Sequence, residues 1–82
     1  MFYVYALYNK VKSKIYIGQT NNLERRLAEH NNRLGNHYTS KIEGKWNLIY
    51  QEEVSSRSGA IRREKELKSF KGREFIKQHI PR

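Results

Sequence analysis

Apolar residues in the first twenty positions fall in two short blocks, Phe2 to Tyr8 and Ile15 to Ile17, parted by a polar stretch from Asn9 to Lys14. Both blocks are rich in aromatic and β-branched side chains, which suit a pleated, half-buried surface. They predict strands over residues 2–8 and 14–18, joined as a hairpin. The spacing then lengthens. Leu23 and Leu27 recur at a helical interval among charged residues, so a helix is expected over about residues 22–31, capped by Thr20 or Asn21. Residues 31–44 are polar, carry two glycines and read as a loop. A third strand is expected over 46–53. Ser55, Ser56 and Ser58 offer caps for a helix over about 59–68. Gly72 reads as an interruption, followed by a last helix over 73–79 that ends before Pro81. The order is β-β-α-β-α-α. The third strand is expected beside the first, which gives an α/β fold with a small three-stranded antiparallel sheet flanked by helices.

With 82 residues, the chain reads as one domain, 1–82, with a basic helical tail from about residue 69. It contains no cysteine, which excludes a disulfide framework and a thiolate zinc site. No apolar run approaches the ~18 residues of a membrane span. Met1 leads straight into an expected strand rather than a signal peptide. These features together suit the cytoplasm. The formal charge of +9 favours a polyanionic partner. Nucleic acid fits better than a membrane surface, because no segment sets a wide apolar face against a rim of Trp or Phe.

Helical geometry sorts the charged residues that follow the hairpin. At ~100° per residue, Leu23, Arg26, Leu27 and His30 share one arc of about 100°, while Arg25, Ala28 and Glu29 lie opposite. Arg26 is therefore expected to face the sheet and Arg25 the solvent. A partly buried charge pulls harder on a phosphate, so Arg26 is the candidate for chemistry. The spacing fits equally an arginine whose stem covers core surface. In the later helix, Ala60, Ile61, Glu64 and Leu67 share an arc of about 120° with Glu64 at its centre, and Glu66 points away with Arg62 and Lys65. A carboxylate among apolar residues needs a cation, either a metal ion or a salt bridge to Arg26 or Lys68.

Tyr3-Val4-Tyr5, Tyr16-Ile17-Gly18, the run from Asn22 to Leu27 with His30, and Ala60-Ile61-Arg62-Arg63-Glu64 occur in this order and spacing. The set resembles the GIY-YIG nuclease superfamily, and more narrowly its small stand-alone bacterial single-domain members. The resemblance runs from about residue 1 to 68. It implies a metal-dependent endonuclease that hydrolyses phosphodiester bonds, most naturally in DNA. On this reading Tyr5 or Tyr16 is the general base, His30 orients it, Arg26 stabilises phosphoryl charge, and Glu64 holds one divalent ion, Mg2+ or Mn2+. Gly18, Gln19, Arg25, His37, Lys68, Lys71 and Arg73 are the expected nucleic-acid contacts, with Tyr38 beside them. Gly18 is expected to admit backbone or phosphate at close range.

Three departures bear on turnover. Tyr3 stands where the motif usually has glycine. Gln19 stands where some repair nucleases of the family have lysine. The late asparagine of a Pro-Tyr-Asn-like segment is absent. Two other readings therefore stand beside the nuclease: a nucleic-acid-binding module without efficient cleavage, and a small partner-binding protein.

Overall fold

The structure, a computed structural model, describes residues 1–31 and 42–81. Two strands, β1 (Phe2–Asn9) and β2 (Lys14–Thr20), form the expected hairpin. Ser13 adopts a left-handed φ of 52° in the turn, and Asn9 Oδ1 accepts the Lys12 backbone N–H at 3.0 Å. Helix α1 (Leu23–Asn31) follows. Its cap is Asn22, one residue later than expected: Asn22 Oδ1 accepts the Arg25 backbone N–H at 3.0 Å, and Thr20 Oγ1 in turn accepts the Asn22 N–H. Strand β3 (Trp46–Val54) returns antiparallel to β1, so the sheet order is β2-β1-β3.

The sheet carries a core on each face. Val4, Ala6 and Ile17 pack with Ala60, Leu67 and Ile76 of the later helices, whereas Tyr5, Leu7 and Trp46 pack with Tyr16, Leu23 and Leu27 on the α1 side. Alternation along β1 accounts for this division. On β3 the alternation is broken by a bulge: Ala6 pairs Tyr50 while Leu7 pairs Leu48, so Ile49 is the extra residue. Trp46 and Leu48 thus join the α1 side, and Tyr50 and Val54 join the opposite one.

Helix α2 (Arg57–Lys68) starts at the Ser56 cap and packs on β1 and β2; α3 (Phe70–Lys77) packs on α2. The break between them falls at Ser69, which is extended (ψ 168°), ends α2 and caps α3 through its hydroxyl to Gly72 N–H. Gly72 therefore does not interrupt a helix. It lies in the first turn of α3, where an added Cβ would meet Glu66 O at 2.2 Å and Leu67 Cα at 2.4 Å. Only glycine lets the two backbones approach this closely. Gly72→Ala is expected to destabilise the fold by about 1–3 kcal/mol despite alanine's better helix propensity. An unchanged urea midpoint would show that the helices separate without cost.

Candidate active site

Four of the five sequence-derived catalytic candidates meet on the α1 side of the sheet. Tyr5 sits opposite Gly18 in the β1–β2 ladder, and Tyr16 lies two residues back on the same face. Their ring centroids are 6.2 Å apart. A Cβ on Gly18 would stand 2.9 Å from both the Tyr5 hydroxyl and a Tyr16 ring carbon. The space that sequence reasoning reserves for phosphate is thus filled by the two phenols, and glycine is what lets them sit over β2.

Helix α1 brings two more groups to the same place. His30 is buried, shares a 2.9 Å hydrogen bond between Nε2 and the Tyr5 hydroxyl, and packs at a tilt against Tyr16, with ring centroids 4.9 Å apart. Arg26 faces inward as the helical angle predicts, and Arg25 is exposed. The Arg26 guanidinium interacts with both phenols and forms an ion pair with Glu29 at 3.3 Å. Glu29 is therefore not on the opposite side of the helix: the i, i+3 spacing brings it round to Arg26.

The electrostatics follow from burial. Tyr5 is 1% exposed, and desolvation pushes its phenol up to about 12; Arg26 opposes the rise, while the charges of Tyr16 and Glu64 add to it. Tyr5 thus keeps its proton at neutral pH. The Arg26 charge is close enough to lower the Tyr5 pKa, and the Tyr5 hydroxyl is hydrogen-bonded to His30 Nε2. For Arg26, burial acts against the charge, and the interactions with Tyr5, Tyr16 and Glu29 outweigh it, leaving its pKa above the ordinary value.

Glu64 comes from α2, close enough for its charge to act on Tyr5. It does not occupy the centre of an apolar face. Ala60 and Leu67 mark that centre, Glu64 flanks it, and Ile61 is 40% exposed. Its Oε2 accepts a hydrogen bond from Lys68 Nζ at 2.6 Å, one of the two salt bridges that the spacing permits. Among the described residues no three His, Asp or Glu side chains form a metal-holding group. Glu64 is a hard oxygen donor, partly buried and within electrostatic reach of Tyr5, so it suits a magnesium-type ion whose remaining ligands are water and phosphate.

The remaining expected contacts scatter. Gln19 and Arg25 line one shallow pocket with Arg26, and Lys71 lines another with Arg63, Leu67 and Phe75. Arg73 is exposed on α3. His37 and Tyr38 lie outside the described residues. Sequence reasoning missed Arg57, which lines the Arg26 pocket from α2, and Asn31. The Asn31 side chain mimics a strand partner: its Oδ1 accepts from Trp46 N at 2.8 Å and its Nδ2 donates to Trp46 O at 3.0 Å. That clamp ties the His30 end of α1 to β3.

The family model for the GIY-YIG catalytic domain matches residues 1–77. The chain belongs to the GIY-YIG family. Its relatives include a UPF0213 protein of Staphylococcus haemolyticus, 44% identical over 75 residues and covering 92% of this chain and 89% of the relative. A UPF0213 protein of Natronomonas pharaonis is 40% identical over 71 residues, covering 83% of this chain and 78% of the relative. The solution NMR structure of the UPF0213 protein BH0048 from Bacillus halodurans matches with a TM-score of 0.56 at 31% identity, covering 95% of this chain and 84% of that one. The names of these relatives state no reaction. GIY-YIG membership places the chain in a nuclease family whose members commonly use divalent metals. No helix among the described residues is long and apolar enough to cross a membrane.

Proposed function

We propose that this GIY-YIG chain is a metal-dependent endonuclease acting on phosphodiester bonds of DNA. The observation that carries the reading is the pair of neighbouring phenols beside one guanidinium, with Tyr5 hydrogen-bonded to His30. Arg26 is already oriented by its partners, so it meets developing charge on a phosphoryl oxygen with little reorganisation. Tyr5 is buried and holds its proton, whereas Tyr16 is only partly buried. Tyr16 is therefore the phenol that takes the proton of the attacking water while passing its own hydroxyl proton to solvent, and Tyr5 with His30 positions Tyr16 and Arg26. Glu64 would hold the Mg2+ or Mn2+ ion, which supplies positive charge at the phosphate and its leaving oxygen. Lys68 keeps the Glu64 carboxylate in place and neutralised before the cation binds.

One feature supports the second reading, a nucleic-acid-binding module without efficient turnover. The candidate metal site offers a single carboxylate, already engaged by Lys68. Incubation of purified protein with DNA and RNA, with Mg2+, Mn2+ or EDTA, separates the two. Cleavage of DNA that requires the metal is expected. Salt-sensitive binding with no cleavage in either metal would favour the second reading, and absence of both would leave a partner-binding protein.

A further inference from the structure

We infer that the pocket between the start of α1 and the first turn of α2 holds a second backbone phosphate, next to the one that faces Arg26. The inference rests on the nucleic-acid reading above and names where the strand runs as it leaves the phenol pair. Three guanidiniums, Arg25, Arg26 and Arg57, line this pocket together with Phe2, Gln19 and Thr20. No carboxylate is among its lining residues. Arg26 has Glu29 as a counter-charge, but among the described residues neither Arg25 nor Arg57 is in an ion pair. Two like charges brought to one pocket from different helices repel unless an anion lies between them.

The size and chemistry of the pocket select the anion. Its volume is about 210 Å³. That is below the ~300 Å³ at the lower end of organic-ligand sites, so it suits a phosphate group with water rather than a cofactor. Guanidinium forks match phosphate oxygens in pairs of parallel hydrogen bonds. The hydroxyl of Thr20 is already used, accepting from Asn22 N at 3.1 Å, so the arginines and Gln19 remain to meet the oxygens. Arg26 belongs both to this pocket and to the phenol pair, which makes the two phosphate positions neighbours on one strand.

The test is binding of a short fluorescein-labelled DNA duplex in EDTA, followed by anisotropy over a range of salt. Arg25→Gln, Arg57→Gln, the double variant and Arg62→Gln are compared; Arg62 is an exposed arginine of the same helix, outside the pocket. If both arginines clamp one phosphate, the double variant loses one contact. The slope of log affinity against log salt then becomes shallower by about 0.9, and by less in each single variant. Arg62→Gln is expected to leave it unchanged. A change of about 1.8 in the double variant would mean two separate phosphates and overturn the shared pocket. So would equal effects of Arg57→Gln and Arg62→Gln. Because EDTA removes the metal, an intact slope change alongside failed cleavage would overturn the endonuclease reading alone.

Discussion

Glu64→Gln is expected to reduce metal-dependent cleavage to background while leaving the fold intact. The substitution keeps the volume and one oxygen of the side chain but removes the negative charge that a hard cation requires. Its structural cost is small. The Glu64–Lys68 pair is an i, i+4 contact on a partly exposed helix face, and such pairs contribute ~0.3–0.5 kcal/mol. Melting temperature and circular dichroism should therefore stay near wild type. Glu66→Gln is the matched control, since Glu66 is exposed on the same helix and makes the same formal charge change. If Glu64→Gln and wild type cut DNA at equal rates in a nuclease-free preparation, Glu64 holds no catalytic metal.

The hairpin and the helix that follows it were legible because each depends on local pattern. Alternating aromatics in Phe2–Asn9 and a capped helical period in Leu23–Asn31 carry their own signals. The choice of Arg26 over Arg25 was legible for the same reason, since a helix turns by a known angle per residue. The position of Glu64 was only half legible. The angle put it on the inner side of α2, but Ile61 looked like core and is 40% exposed, so the arc was centred one flank too far round. Three other features were hidden because they depend on contacts between distant segments. The bulge at Ile49 reassigns the second half of β3 to the other face, and nothing in the run Trp46–Val54 marks it. Gly72 looks like a breaker in sequence and is a contact point between helices in space. Ile76 is fully buried, so the basic C-terminal helix docks on the core. Removing residues 73–82 would consequently disturb folding, and phosphate contacts there are better tested with single charge changes at Lys71 and Arg73. Arg57 carries no signal of its own among the helix-capping serines, because its pocket is formed with α1, which lies about thirty positions earlier.

Arg26→Ala should slow cleavage by about two to three orders of magnitude, the range for removing a principal charge partner of the transition state. The geometry gives a sharper expectation than charge alone. Arg26 donates to Glu29 and sets its charge beside both phenols, so its loss removes the phosphate partner and also the positive charge next to Tyr5 and Tyr16. Arg26→Lys should then fall well below wild type as well, because an ammonium is a point donor and cannot reproduce the planar fork. Arg25→Ala removes the same formal charge one residue earlier, from an exposed position. Its effect belongs to binding and should largely vanish when single-turnover rates are measured at saturating DNA. If Arg25→Ala and Arg26→Ala lose the same factor under those conditions, the protein's general positive field is responsible. If only Arg26→Ala slows the saturated rate, the inward-facing guanidinium acts on the reacting phosphate.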